Sequence, residues 1–191
     1  MRTYAVRRLA LFYVLTALCI GIQLTPRPAN VEFTSLIVFL TGAIMGTLFG
    51  AGLGSLVMLV NAFLSPVGFA GVIAPFQMIG ATLVGFGGGL YGHSKGGSFD
   101  AASHVETAVL GAFLTIIYDL VTNFGWAVHL MLAGQPILLA FASALVSGAL
   151  FMLIHVGSNT IVFGAVFVPV TNALQKLYGG GQIWKKDFSP T

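Results

Sequence analysis

Long apolar runs alternate with short polar segments along this chain. The separating segments are rich in Pro, Gly, Asn or charged residues, and the apolar runs lie at about 5–23, 33–63, 71–92, 105–131 and 136–177. A helix needs about 20 apolar residues to cross the hydrocarbon core of a bilayer. Three runs fit one crossing each, whereas 33–63 and 136–177 are long enough for one tilted helix or two short ones. The pattern predicts an all-α integral membrane protein.

The positions of the basic residues predict whether the chain crosses the membrane an even or an odd number of times. Most of them lie near the two ends of the chain: Arg2, Arg7, Arg8, Lys176, Lys185 and Lys186. Because cytoplasmic segments carry the excess of Lys and Arg, both termini are predicted to be cytoplasmic and the number of crossings even. Splitting the run 33–63 into two helices satisfies this condition and places Lys95 inside, so that only Arg27 lies outside.

Glycines within 33–63 mark where that split falls, because glycine readily lets a helix end and turn. The candidates for the turn are Gly46, Gly50, Gly52 and Gly54. The result is a six-helix transmembrane domain over residues 1–178 with a short cytoplasmic tail at 179–191. The predicted helices are 5–23, 33–48, 51–64, 72–92, 105–131 and 137–177. The sixth would be about 60 Å long, so a break near Gly157 or Ser158, or an interfacial stretch at one end, is expected.

Small residues also recur at a spacing of four. They are Gly42, Gly46, Gly50 and Gly54, and in the fourth helix Ala81, Gly85 and Gly89. This spacing lets helix backbones approach closely, which in lipid supplies the van der Waals contact that the hydrophobic effect cannot. The pattern indicates either helix packing inside this protein or contact with a partner subunit.

The composition excludes a soluble monomer. Of the 191 residues 57% are hydrophobic and only 7% are charged, against about 25% charged in ordinary globular domains. The formal net charge of +3 does not indicate nucleic-acid binding, since the basic residues lie mainly at the ends. Cys19 is the only cysteine and lies in an apolar run, so neither a disulfide nor a thiolate metal site is predicted within one chain. No metal and no cofactor is expected.

One face of the fifth helix carries polar residues that are costly in lipid. Asp119, Asn123 and Trp126 have i, i+4, i+7 spacing, and His129 follows. A central Asp costs about 2.5–3.5 kcal/mol on insertion scales, so it needs a structural or a functional reason. The structural interpretation is a hydrogen-bond cluster with Thr115 or with polar residues of the sixth helix. The functional interpretation is the polar wall of a cavity that opens outward.

Further polar residues lie at the outer side or at mid-depth of the predicted topology. His155 and Asn159 share one face of the sixth helix and are the candidate partners of Asp119. Glu32 immediately precedes the second helix, and Gln77 lies early in the fourth. Their common position favours a binding pocket over a cytoplasmic active site.

Catalytic motifs are absent from the sequence, so an enzyme is not predicted. There is no HExxH, no GxSxG, no obvious Ser-His-acid arrangement, no cysteine nucleophile and no Walker A motif to couple ATP hydrolysis to transport. One alternative is a haem-binding intramembrane oxidoreductase that uses His129 and His155 as iron ligands. The other is an independent small channel or secondary transporter, although Asp119 has no obvious basic partner and no inverted repeat is evident.

Several segments occur together in a characteristic order along most of the chain. They are Pro28-Ala-Asn-Val-Glu-Phe-Thr-Ser-Leu, Leu40-Thr-Gly-Ala-Ile-Met-Gly, the loop from Asn61 to Pro66, Gln77-Met-Ile-Gly, the segment Thr115–Asn123 and the segment His155–Phe163. In these segments the chain resembles the S component, the substrate-binding membrane subunit, of an energy-coupling factor (ECF) vitamin transporter. The resemblance implies six helices and an outer solute site built from loops and the last three helices.

The resemblance also implies a function and partners. An S component binds a vitamin or related micronutrient at the cell membrane of a prokaryote and works with a T component and two cytoplasmic ATPases. No residue identifies the vitamin; cobalamin-type S components are nearest in general pattern, and the polar and aromatic residues suit a neutral or cationic heteroaromatic solute. The predicted substrate-binding residues are Glu32, Asn61, Gln77, Asp119, Asn123, Trp126, His129, His155 and Asn159.

The first helix carries the predicted docking stripe. S components typically present small residues there, often as Ala-x-x-x-Ala, where they meet the T component. The corresponding stripe in this chain is Ala10, Val14, Ala17 and Gly21. Val14 follows Ala10 at the fourth position, so only Ala17 and Gly21 keep the small-residue spacing.

Overall fold

A computed structural model of the protein describes residues 2–26, 28, 30–66 and 68–177. Within them the chain forms six α-helices, one short 3₁₀ turn and no strand. The helices are α1 (Arg2–Leu24), α2 (Thr34–Met45), α3 (Thr47–Leu64), α4 (Ala74–Ser94), α5 (Ala102–Leu132) and α6 (Ile137–Leu177), with the 3₁₀ turn at Gly71–Ile73. The predicted all-helical class is confirmed. Arg27, Lys185, Lys186 and the predicted tail at 179–191 lie outside the described residues.

Five of the described helices are long and apolar enough to cross a membrane. The exception is α2, whose 12 residues extend about 18 Å. Nearly all of its residues are buried, because α1, α3, α4 and α6 pack around it. The multi-pass membrane architecture follows from these helices, whereas the number of crossings and the sides of the termini stay predictions.

The turn between α2 and α3 occupies a single glycine. Gly46 has φ of 99°, a left-handed backbone conformation that residues with a Cβ rarely adopt. Its N–H donates to the Gly42 carbonyl at 2.8 Å, and its own carbonyl accepts from Gly50 N–H at 3.2 Å. The predicted boundary between helices 33–48 and 51–64 is wrong, because α2 ends at Met45 and α3 already begins at Thr47, so that Gly50 lies inside α3.

Glycine backbones hold α4 against α2 and α3. A Cβ placed on Gly85 would overlap the backbone of Gly50, and one on Gly54 would overlap the Ala81 carbonyl. On the neighbouring turns, Gly88 faces the Phe39 carbonyl of α2 just as closely. The prediction of small-residue packing inside this protein is confirmed, and these contacts form what we call the glycine seam.

Buried aromatic rings join α2 to α6. Phe39, Phe163 and Phe167 are fully buried, and the Phe39 ring centroid lies 5.2 Å from that of Phe163 and 5.4 Å from that of Phe167. Thr107 of α5 donates its hydroxyl to the Phe163 carbonyl at 3.2 Å. Helices α5 and α6 therefore pack along each other and against α2.

Helix α6 runs unbroken from Ile137 to Leu177. The break expected near Gly157 or Ser158 is absent. Gly157 has open space where a Cβ would lie, so no neighbouring helix forces a bend there. The Ser158 hydroxyl donates to the His155 carbonyl one turn back at 3.0 Å, within the helix. Even Pro169 lies inside the helix without ending it.

Basic side chains gather at the end of the bundle where α1 begins and α4 ends. Arg8 donates from Nη2 to the Met45 carbonyl at 2.6 Å and lies 4.9 Å over the Phe49 ring. Lys95 pairs with Glu106 at 2.7 Å, and this contact raises the pKa of Lys95 above its ordinary value. We refer to this end of the molecule as the basic end.

We expect the substitution Gly85→Ala to destabilise the protein strongly. The new Cβ would meet the backbone of Gly50, which cannot move aside, and such overpacking costs about 1–3 kcal/mol. Thermal unfolding of the protein in detergent should show a melting temperature lower by roughly 3–10 °C.

Gly52→Ala is the matched control, because Gly52 lies in α3 with nothing near its Cβ position. Alanine forms helices better than glycine, so this variant should melt at the wild-type temperature or slightly above. Equal losses in the two variants would contradict the glycine seam.

Candidate functional site

A cavity of about 860 Å³ opens at the end of the bundle opposite the basic end. It lies where α1 and α3 end and where α2 and α4 begin, with the second half of α5 and the first half of α6 along its sides. Cavities of roughly 300–1,000 Å³ accommodate small organic ligands. The wall combines amides, hydroxyls and carboxyls with aromatic and apolar side chains, so both hydrogen bonding and stacking are available to a ligand.

Seven of the nine predicted site residues line this cavity. They are Glu32, Asn61, Gln77, Asp119, Asn123, Trp126 and His155. These residues come from five different segments of the chain, and the fold brings them to one space. Their placement fits the predicted pocket, while their contact with a ligand stays a prediction.

Two predicted residues do not line the cavity. The exposed His129 ring stacks on Trp126, with centroids 5.0 Å apart and planes 19° apart. Asn159 is fully buried and donates from Nδ2 to the Thr115 hydroxyl at 2.9 Å. Asn159 therefore joins α5 to α6 below the cavity instead of facing a ligand.

The cavity wall contains a buried acidic cluster, which we define as Glu32, Asp119 and His155. His155 Nδ1 lies 2.8 Å from Asp119 Oδ1, and His155 Nε2 lies 3.4 Å from Glu32 Oε1. All three side chains are nearly buried, with exposed fractions of 5–7%. The predicted hydrogen-bond cluster around Asp119 is confirmed for His155. The expectation that Asp119 lacks a basic partner is wrong.

Glu32 is held by donors from two helices as well as by His155. Gln23 of α1 donates to Glu32 Oε2 at 3.3 Å, and both the backbone N–H and the hydroxyl of Ser35 donate to Oε1. Burial alone raises the pKa of Glu32, but the hydrogen bond and charge of His155, together with Ser35, outweigh it and lower the pKa to about 2. Glu32 is therefore ionised at neutral pH.

The hydrogen bonds of His155 set the charge of the acidic cluster. A carboxylate oxygen only accepts hydrogen bonds, so both contacts form when both imidazole nitrogens carry hydrogen. Glu32 and His155 then carry one charge of each sign, and an ionised Asp119 adds a second negative charge. Among the described residues that line the cavity, no other side chain carries a positive charge. An ionised Asp119 therefore makes the site negative as a whole.

Two acceptor oxygens at the cavity have no protein donor. Asp119 Oδ2 and Gln77 Oε1 are both buried and make no hydrogen bond within the described part of the chain. Buried polar atoms are nearly always paired in folded proteins, and leaving one without a partner is costly. These two oxygens are free to accept hydrogen bonds from a molecule in the cavity.

The loop between α1 and α2 closes one side of the cavity and is fastened to α6. Asn30 Nδ2 donates to the Phe151 carbonyl at 2.8 Å, and Ser158 donates to the Asn30 carbonyl at 3.0 Å. Asn30 has φ of 58°, a conformation that Asn tolerates better than most residues. The sequence placed Asn30 beside Glu32 but gave no sign of its contact with α6.

Sequence reasoning missed several lining residues. Gln23 and Tyr118 are the most informative of them. Tyr118 packs edge-on against His155, with ring centroids 5.7 Å apart. Gln23 could have been predicted, because an amide at the end of an apolar helix needs a polar partner. Tyr118 could not, because its position in the sequence does not differ from that of an ordinary aromatic residue in a membrane helix.

Comparison of the chain with models of protein families, with curated proteins and with solved structures yields no match. The function of the protein is therefore inferred from the geometry of the cavity and from the sequence segments that resemble those of an S component. The strongest geometric feature is the acidic cluster, since buried ionisable groups in a cavity are candidates for ligand contact.

We expect Glu32→Gln to lower the stability of the protein at neutral pH by about 2–4 kcal/mol, because it removes one charge from a buried set of partners. The folded-state pKa of Glu32 lies below its ordinary value of 4.5. The stabilisation from its ionised form is therefore present above that value and is lost as the pH falls toward about 2. Thermal unfolding measured against pH should show the variant and wild type converging in acid.

Glu106→Gln serves as the control, because Glu106 forms its ion pair at the basic end with its side chain 41% exposed. Exposed pairs contribute little, so this variant should lose less stability at neutral pH. A loss in Glu106→Gln as large as that in Glu32→Gln would contradict the special role of the acidic cluster.

Proposed function

We propose that this protein is the substrate-binding subunit of an ECF-type importer that captures a vitamin or related micronutrient at the cell membrane of a prokaryote. The observation that carries the proposal is the cavity, which gathers seven predicted binding residues from distant segments at one end of a helical bundle. A negatively charged, partly aromatic cavity of this size suits binding of a small heteroaromatic solute.

The proposed topology has six crossings with both termini in the cytoplasm. Arg8 and Lys95 lie at the basic end, and basic residues favour the cytoplasmic side. The cavity at the other end then faces outward, where a nutrient arrives. Helix α2 is short because it begins at the cavity wall, beside Glu32, and only needs to reach the basic end.

ATP-driven uptake requires partners, because this sequence has no Walker A motif. In the proposed complex a T component and two ATPases supply the energy, and this subunit holds the solute. The docking stripe of α1 supports this arrangement. Val14 is 63% exposed and Ala10, Ala17 and Gly21 are exposed too, so the stripe lies on the surface of the bundle.

The second candidate is an independent proton-coupled transporter, and the acidic cluster favours it specifically. Buried carboxyl and imidazole groups within a membrane bundle are the usual parts of proton relays. The haem-binding alternative gains no such support, since both ring nitrogens of His155 face carboxylates and His129 stacks on Trp126. Proteoliposomes containing only this chain distinguish the two transport candidates: uptake driven by a pH gradient alone would favour the second.

The first experiment is to purify the protein in mild detergent and record its absorbance from the ultraviolet to the red. Mass spectrometry then identifies the small molecule released on denaturation. We expect a vitamin-like metabolite in near-stoichiometric amount. A haem spectrum would contradict the proposal. If the protein is empty, co-purification with a T component and ATPases becomes the deciding measurement.

We expect Asp119→Ala and Asn123→Ala to weaken binding of the released metabolite while the protein still folds. Losing a hydrogen bond to a charged group costs about 1.5–3 kcal/mol, so Asp119→Ala should raise the Kd roughly 10- to 100-fold. Asn123→Ala should raise it about 5- to 10-fold, as expected for a neutral hydrogen bond.

The control for Asn123→Ala is Asn172→Ala, because Asn172 lies near the C-terminal end of α6 and does not line the cavity. Its affinity should equal that of the wild type. Unchanged affinity in both cavity variants, measured by titration calorimetry on folded protein, would assign Asp119 and Asn123 purely structural roles.

We expect Ala17→Trp to disrupt assembly with the T component without changing metabolite binding. The large ring would occupy the surface where a partner helix must approach closely. Ile161→Trp is the control, since Ile161 is also exposed, at 71%, but lies on α6. Quantitative pull-down of the ATPases measures assembly. Equal recovery with both variants would contradict the docking stripe.

A further inference from the structure

Asp119 has one oxygen that the protein does not use. Its Oδ1 contacts His155, whereas Oδ2 is buried and has no hydrogen-bond partner in the described chain. The side chain is nine-tenths buried, with 6% exposure for the residue, and it lines the cavity. Asp119 Oδ2 therefore needs a hydrogen-bond donor from a molecule in the cavity.

The charge of the site points to the kind of donor. With His155 protonated at both nitrogens and both carboxyl groups ionised, the acidic cluster carries one uncompensated negative charge. The other described lining residues are amides, hydroxyls, aromatic and apolar residues, none of which neutralises it. Charge separated from bulk water is costly unless it is paired. A ligand that brings one positive charge balances the site, whereas an anion would add to the repulsion.

A second free acceptor oxygen restricts the chemical class of the ligand further. Gln77 Oε1 comes from α4 and is also buried without a donor. A ligand that satisfies both oxygens must present at least two hydrogen-bond donors, and a cation whose charge lies on N–H groups supplies donors and charge together. Trp126 and Tyr118 line the same cavity, and aromatic rings attract planar cations.

We propose that the ligand of this cavity is a planar aromatic cation, of the amidinium or protonated amino-heterocycle type, which donates N–H groups to Asp119 Oδ2 and Gln77 Oε1. This inference rests on the binding function proposed above and names its substrate class. It selects the cationic solute from the neutral and cationic classes that the sequence alone left open, and it excludes carboxylate-bearing aromatic acids as preferred ligands.

Three probes of nearly equal size and shape test the proposal: benzamidine, which is a cation at neutral pH, benzamide, which is neutral, and benzoate, which is an anion. The full-length protein is first emptied by prolonged dialysis in detergent, and probe binding is measured by the shift in melting temperature against probe concentration. Benzamidine should bind about tenfold or more tightly than benzamide, and benzoate should give no shift. Equal binding of benzamidine and benzamide, preference for benzoate, or no shift with any probe would overturn the proposal.

Variants then assign the preference to the proposed atoms. Asp119→Asn should reduce the ratio of benzamidine to benzamide affinity about tenfold, while Asp100→Asn, at the basic end, should leave it unchanged. Gln77→Glu should raise the same ratio, because it adds a carboxylate to the cavity, and it keeps the test decisive if Asp119→Asn does not fold. An unaltered ratio in Gln77→Glu would contradict the proposed contact.

These results separate this inference from the proposed function. Release of an anionic metabolite together with co-purifying ATPases would overturn the cationic class and keep the importer subunit. A clear preference for benzamidine without any association with a T component would keep the cation site and overturn the importer role.

Discussion

The contact of His155 with Glu32 and Asp119 is the interaction on which the cavity depends. It joins the loop before α2, the middle of α5 and the middle of α6, and Gln23 of α1 reaches the same carboxylate. Ionisable groups buried away from water stabilise a structure only when every member keeps its partners. The cluster therefore fixes the relative positions of these segments, since displacing one of them would leave buried charge uncompensated.

The glycine seam supplies the complementary constraint on the other side of α2. Helices in lipid gain little from hiding apolar surface, so they associate through close contact, and Gly50 and Gly85 bring α3 and α4 to backbone distance. Helix α2 is enclosed between this seam and the aromatic residues of α6. Because α2 begins only at Thr34, no helix fills the bundle beyond that point. The cavity occupies the space that the short helix leaves.

Much of the fold could be predicted from the sequence, because helix length in a membrane is set by bilayer thickness and apolar runs mark it directly. Helical spacing likewise identified the face shared by Asp119, Asn123 and Trp126. Spacing gives the face of a helix but not the depth of a cavity. His129 and Asn159 were therefore predicted on the same surface, although they lie about one turn beyond the residues that line the cavity. The sequence also could not show which of the four candidate glycines forms the turn between α2 and α3, because that depends on which glycines contact the backbone of another helix. The pairing of Glu32 with His155, 123 positions apart, left no local signal.

Asp119 is the residue at which ligand and protein architecture meet. One of its oxygens belongs to the acidic cluster and the other is free for the cavity, so a donor placed on the free oxygen acts through the same carboxylate on His155. His155 in turn contacts Glu32, at the end of the loop that Asn30 fastens to α6. Hydrogen bonds in such a chain polarise one another. By linkage, a ligand that strengthens this series of hydrogen bonds would stabilise the loop before α2. A more stable loop would strengthen ligand binding by the same free energy. The acidic cluster thus links the free oxygen of Asp119 to the loop before α2 through one continuous set of hydrogen bonds.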